Sequence, residues 1–476
     1  MNGSRNGGGD GSVIRVGSNQ GDPKEKMTGE GSHRDHRREI ILIGVPAILE
    51  SLIAVLITSI DTKMIAPLGK AAVSAVSLTA QPKNLFFAIF FALGTAASIF
   101  VSQALGRKDR KEANAYFHAV LRLGFAISVI LGVAFIFLAD PVMRLCSRQA
   151  ETIETSISFF RVIMGLMVFQ TMPLILNAAL RGIGLTKVTL VSGVFQAAVD
   201  FLVNYLLIEG HLGFPALGVI GDALGTVAGG VAATVVGLVY MKRHSDFLTL
   251  KGVTDRTALP PEGWKNIRSK AGNTVFENLF TRVGFLISSV ILSGLPADQT
   301  SVYFVASILL GYTFAFGDGL QSAVVTLTGR SMGAGRPKEI LEYLKQALLI
   351  GAVLCAALSA VYILGARLFY RQYFQDEAAI TQGMAFNWVI AALTFLQILR
   401  IIIAGAMRGT GETRIPRKMA MVCVLIINPA AALLLTEVWR LGVWGIWWAS
   451  VISQVCWFLS ALILGRKRFR QLAGAE

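Results

Sequence analysis

Gln103-Ala104-Leu105-Gly106-Arg107-Lys108-Asp109-Arg110-Lys111-Glu112 closes a long apolar run on a basic loop, and Arg330-Ser331-Met332-Gly333-Ala334-Gly335-Arg336-Pro337-Lys338-Glu339 does the same 227 positions later. The same offset carries Glu50 to Glu277, Leu68 to Leu295, Tyr116 to Tyr343 and Gly124 to Gly351. It also carries Arg181-Gly182-x-Gly184 to Arg408-Gly409-x-Gly411 and Thr186 to Thr413. Near the end an offset of 224 takes Asn204 to Asn428 and Leu217-Gly218-Val219 to Leu441-Gly442-Val443. One spacing that links motifs in several loops is an internal repeat, and each repeat must be one structural unit.

Composition says what the units are. Of 476 residues, 54% are hydrophobic and only 15% charged; a soluble chain carries about 25% charged residues. Twelve apolar runs follow one another, at about 40–65, 74–105, 117–139, 154–178, 188–209, 216–241, 271–295, 301–329, 342–369, 380–407, 418–437 and 441–464. Only helices and closed barrels satisfy their backbone in lipid. Continuous runs lack the alternation of a membrane barrel, so helices are expected. The predicted fold is an all-α integral membrane protein of twelve transmembrane helices in two pseudo-symmetric six-helix bundles. Six is even, so both bundles run the same way, as in parallel-repeat transporters.

The net charge of +15 reads as an orientation signal. The loops at one end, with the segments Arg34–Arg38 and Arg466–Arg470, hold 27 Lys or Arg, and the loops at the other end hold 7. Basic loops stay on the cytoplasmic side, which predicts an inner-membrane protein with both termini cytoplasmic. No basic soluble face with aromatics is present, so no nucleic-acid partner is expected. The expected divisions are a disordered tail at 1–38, an N-lobe at 39–241, a cytoplasmic linker at 242–270 with Pro260-Pro261, a C-lobe at 271–465 and a basic tail at 466–476. The tail lacks the apolar core of a signal peptide, and Met27 reads as an alternative start. Cys146, Cys355, Cys423 and Cys456 have neither zinc nor disulfide spacing and read as small apolar residues.

Ionisable groups inside apolar spans are costly, so each needs a reason. Glu50 lies near the middle of the first span, four residues after Pro46, which can kink the helix. Glu277 repeats it. Asp61 lies toward the far end of the same span. Gln196, Asp200 and Asn204 stand at i, i+4 and i+8 and form one polar stripe on an apolar helix. Asp61 and Asp200 are expected to share a proton, or to hold Na+ with Asn204. Asp318 sits between Gly317 and Gly319. No phosphate loop and no Ser-His-acid set is present, so ATP-driven transport by this chain alone and an integral membrane enzyme are disfavoured.

These residues resemble the multidrug and toxic compound extrusion (MATE) family, its DinF/NorM-like members. The likeness rests on Pro46, Ile60-Asp61-Thr62, Gln103 to Asp109, Asn177-x-x-Leu180-Arg181-Gly182-x-Gly184, Phe276-Glu277, Gly319-Leu320-Gln321, Gly333-Ala334-Gly335 and Arg408-Gly409-x-Gly411, from about Ile40 to Arg466. It implies export of organic, often cationic, compounds in exchange for H+ or Na+, with no cofactor. Asp61 stands at the family's first-helix acid and Glu277 at its seventh-helix acid. Many members carry Asn-x-x-x-Asp where this chain has Asp200-x-x-x-Asn204, and Gln397 stands where some sodium-coupled members carry an acid. The resemblance therefore implies ion coupling in the N-lobe by Asp61, Asp200, Asn204 and Gln196, with a hinge at Pro46. Cationic substrate is expected to be drawn to the buried acids Glu50, Glu277 and Asp318, in a cavity that also holds Gln397. Small organic substrates and membrane lipids are the expected partners of a monomer. The alternative is a lipid-linked oligosaccharide flippase, which would need a cavity lined with cations.

Overall fold

The computed structural model describes residues 29–146, 150–253, 259–472 and 474. Among these residues no strand occurs. The N-terminal half holds α1 (Gly29–Ile65), α2 (Lys70–Gly106), α3 (Arg110–Cys146), α4 (Ala150–Gly165), α5 (Val168–Gly182), α6 (Thr186–Leu207) and α7 (Val219–His244). The C-terminal half holds α8 (Pro261–Ser293), α9 (Ala297–Gly333), α10 (Pro337–Leu364), the short α11 (Ala366–Tyr370), α12 (Glu377–Gly409), α13 (Arg414–Met419), α14 (Asn428–Leu433) and α15 (Val443–Leu472). Two π-helical stretches, Ala420–Ile427 and Leu434–Val438, join α13 and α14 into one span.

Among the described residues eleven helices are long and apolar enough to cross a bilayer, and α4 with α5, bent by 47°, makes a twelfth if the pair is one span. The break falls at Gly165–Met167. Pro173 has no N–H to return to the carbonyl of Phe169, so the first turn of α5 is weakened. Side chains such as Phe137, Val353 and Leu364 point outward and are 76%, 64% and 85% exposed. In water this would be an aggregation hazard, and in lipid it is the matched solvent.

Each half builds its own core. Phe90, Phe117 and Phe160 lie at the centre of the N-lobe. Ile398, Ile402 and Trp457 fill one layer of the C-lobe, and Tyr370, Phe386 and Trp447 fill another. The division at residue 39 needs correction, because the first helix of each half begins in the opposite lobe. Ile40 of α1 is fully buried in the C-lobe core, and Ile267 of α8, its repeat equivalent, is 1% exposed in the N-lobe core. Glu39 reinforces the crossing through Arg330 (2.7 Å) and Tyr343.

The tails also differ from expectation. Residues 29–38 continue α1, residues 261–270 form the first turns of α8, and 466–472 belong to α15, so none of these is loop or disordered tail. Residues 1–28 lie outside the described residues, and so does the end of the basic tail. The linker is pinned to α3, where Asn114 exchanges hydrogen bonds with Phe247 and Thr249.

The lobes meet at the basic end. Gly106 and Gly333 face each other there. A Cβ on Gly106 would lie 2.7 Å from the amide of Ala334 and 2.9 Å from Gly333 Cα, so only glycine permits the contact. Gln103 Nε2 donates to the carbonyl of Gly409 at 2.9 Å, and Thr326 Oγ1 donates to that of Arg181 at 2.8 Å. At the far end the lobes part. Thr58, Ser59, Ile60 and Thr62 of α1 are exposed there. A cavity of about 560 Å³ separates this face of α1 from Tyr373.

Candidate functional site

Two groups of ionisable side chains lie inside the bundle, one in the far half of the N-lobe and one at the level where the lobes begin to part. The first is centred on Asn204. Its Nδ2 reaches Asp61 Oδ1 at 3.1 Å, Asp200 Oδ1 at 3.1 Å and Asp222 Oδ1 at 3.4 Å. Two N–H bonds thus serve three carboxylates on α1, α6 and α7. Asp200, Asn204 and Asp222 are 2%, 0% and 3% exposed, and Asp61 is half-buried.

Local structure makes the meeting possible. Asp200 and Asn204 are one turn apart on α6 and project from one face. On α7 a Cβ at residue 225 would overlap Asn204 and come within 3.0 Å of Asp200 Oδ1. Gly225 therefore leaves the space that the amide fills. Lys83 of α2 completes the group, within electrostatic reach of Asp222, Asp61 and Asp200. It forms no direct ion pair with them among the described residues. Asn204 Oδ1 is buried and accepts no hydrogen bond.

Sequence reasoning assembled Asp61, Asp200 and Asn204 and missed Asp222 and Lys83. Asp222 is the fourth residue of α7 and reads as an ordinary acid in a first helical turn. Lys83 follows Pro82 inside an apolar run, and its charge was a readable signal that only the fold connects to the acids. Gln196 lies one turn nearer the basic end, half-buried, and is not among the hydrogen-bond partners of the cluster. Among the described residues no three His, Cys, Asp or Glu side chains converge closely enough to hold a metal ion unaided. A Na+ there would need the oxygen of Asn204 as well.

The second group is symmetric. Glu50 accepts from Arg181 Nη1 at 2.7 Å and from Thr189 Oγ1 at 2.6 Å. Glu277 accepts from Arg408 Nη2 at 2.6 Å, and Arg408 also reaches Gln321. The repeat maps one ion pair onto the other. Neither glutamate is thus a free negative charge, and Glu277 pairs with Arg408 rather than with Arg282 nearby on its own helix. Breaking such a buried pair costs about 3–5 kcal/mol, because the partner left behind has no counter-charge. Asp318 is different: it is exposed and lies within electrostatic reach of Arg408, Arg400, Arg181 and Arg282. Gln397 is 3% exposed on α12. Pro46 is buried within α1, which runs as one helix through it, between the part held by the C-lobe and the part held by Arg181.

A family model described as MatE matches residues 46–206 and again 274–434, once in each lobe. The chain belongs to the MatE family. Like other MatE proteins it is a membrane transporter and not an enzyme. A MatE relative from Thermotoga maritima, described as a probable multidrug resistance protein NorM, is 24% identical over 468 residues, covering 94% of this chain and 98% of its own length. A MOP-superfamily transporter from Pyrococcus furiosus shares the fold with a TM-score of 0.85 at 18% identity, over 94% of this chain and 100% of that one. An outward-facing MATE family multidrug resistance transporter gives a TM-score of 0.84 at 17% identity, over 94% and 99%.

Proposed function

We propose that this protein exports organic compounds by exchanging them for protons, working by alternating access in a bacterial inner membrane. Drug export is supported by the Thermotoga relative's description. The orientation follows from the loop charges: the basic end is cytoplasmic with both termini, so the cleft opens outward. The exchange rests on one observation. Three carboxylates on three helices converge on a single amide beside one lysine. With all three acids ionised such a group has a formal net charge of −2, and protons arriving from outside relieve its repulsion and let α1, α6 and α7 close together. Pro46 lies where α1 passes from one lobe to the other, which is where a bend would change the grip of the lobes. Coupling requires that ion and substrate favour different states. In this cycle protonation favours the state that releases substrate.

Na+ is the second reading, and the unpartnered Asn204 Oδ1 favours it. The built-in ammonium of Lys83 favours the proton, because one positive charge already stands within electrostatic reach of all three acids. Proteoliposome flux under H+ and Na+ gradients applied separately decides between them. Asp61→Asn and Asp200→Asn are expected to abolish gradient-driven efflux, and full efflux in both variants would sink the proposal.

A further inference from the structure

The C-lobe interior holds a polar group whose bonding is incomplete. Gln397, Arg400 and Arg408 fall on one face of α12, at i, i+3 and i+11. Glu277 of α8 faces them through its bond to Arg408. Four buried atoms here have no hydrogen-bond partner: Gln397 Nε2, Arg400 Nε, Arg408 Nε and Glu277 Oε2. Gln397 and Glu277 are 3% and 6% exposed, so this is interior and not surface. The group thus holds three unmet donors and one unmet acceptor. Arg400 lies 4.8 Å over the ring of Trp457, which holds its guanidinium in place. It lies within electrostatic reach of Glu277, Arg408 and Asp318. At the mouth, Arg282 and Asp318 are both exposed and within electrostatic reach of each other.

The charges sum to the same conclusion. Arg181 cancels Glu50 and Arg408 cancels Glu277. Arg282 and Arg400 then stand against Asp318 alone, so the centre of the cleft is net positive. A cationic compound finds one free acid ringed by guanidinia.

We propose that this arginine group, reached from the cleft, binds the anionic group of the exported compound, a carboxylate or phosphate carried on an organic body. The guanidinium of Arg400, whose Nε–H is unmet, receives its oxygens within the field of Arg408, and Asp318 at the mouth repels it back out on release. This rests on the export reading and assigns its substrate class. The two are separable, because equilibrium binding in detergent needs neither a gradient nor turnover.

The test uses the full-length protein in detergent with two fluorescent probes, the anionic dye fluorescein and the cationic dye ethidium. Fluorescein is expected to bind the more tightly. Arg400→Gln is expected to weaken fluorescein at least about tenfold, the loss of one charge-assisted hydrogen bond, and to leave ethidium unchanged. Asp318→Asn lies at the exposed mouth, needs no refolding of the core, and is expected to tighten fluorescein about threefold by removing a like charge. Benzoate and inorganic pyrophosphate serve as competitors. Displacement by benzoate assigns a carboxylate, displacement by pyrophosphate assigns a phosphate such as a lipid headgroup, and displacement by neither overturns the proposal. Tighter ethidium binding overturns it too, as does Asp318→Asn weakening fluorescein. If Arg400→Gln fails to melt cooperatively, the Asp318→Asn result and the competition stand in its place. Should fluorescein not bind while proteoliposomes still export a cationic drug, only the substrate assignment falls.

Discussion

The far half of the N-lobe and the far half of the C-lobe are built on the same plan from different side chains. The repeat carries Asp61 to Ser288, Asn204 to Asn428, Asp200 to Val424, Asp222 to Ile446 and Lys83 to Leu310. The central contact survives: Ser288 Oγ and Asn428 Oδ1 lie 3.4 Å apart where Asp61 and Asn204 meet in the other lobe. Three carboxylates and a lysine have been replaced by a hydroxyl and apolar groups, all buried except Leu310. The helix changes with them. α6 is an unbroken α-helix, whereas its counterpart passes through two π-helical stretches. Shared topology therefore supplies a place where three helices meet, and side-chain chemistry decides whether that place can gain and lose a charge.

The largest expected effect removes that difference from the N-lobe. Asp200→Asn should reduce proton-driven efflux by at least about 100-fold, as expected when an essential proton carrier is lost. Asn428→Asp, at the equivalent place in the C-lobe, should not restore it. Flux in proteoliposomes measures both, and robust efflux in the Asp200 variant breaks the comparison.

Next comes the attempt to copy the cluster across. Val424→Asp buries a carboxylate in a lobe that has Leu310 in place of Lys83. It should destabilise the protein by roughly 3 kcal/mol, the cost of an unpaired buried polar group, seen as a lower melting temperature in detergent. A companion Leu310→Lys should recover part of the loss.

Packing gives a third contrast. A Cβ at residue 225 overlaps Asn204, while the equivalent position already carries Ala449, fully buried. Gly225→Val should cost about 1–3 kcal/mol through overpacking and should impair coupling. Ala449→Gly should lower stability by no more than about 1 kcal/mol and leave coupling intact.

The smallest effect sharpens the role of the lysine. Lys83→Gln leaves three acids with no counter-charge, which favours their protonated forms. The pH at which efflux is half-maximal should rise by about one unit, and an unchanged pH profile would assign Lys83 to packing alone.

Much of this was legible in the chain itself. Apolar runs of about 20 residues can only be spans in lipid, so helix count and the division into two halves follow from local composition and the 227-residue offset. Gln196, Asp200 and Asn204 shared a face because helical spacing makes it so, and Glu50 and Glu277 were paired by the repeat. What spacing does not carry is contact between helices. Asp222 and Lys83 lie on α7 and α2, separated from Asp200 by 22 and 117 positions, and only packing brings them together. Periodicity shows which side of a helix is polar, not which helix answers it. That is why the spacing of Glu50 and Glu277 does not reveal that Arg181 and Arg408 neutralise them. The fold class, the repeat and the positions of the buried charges were thus written locally, in hydrophobicity and spacing. Tertiary structure decided which charges cancel, where each lobe's first helix begins, and the sign of the cleft. In a low-dielectric interior those outcomes depend on distances of a few ångströms between chain-distant groups.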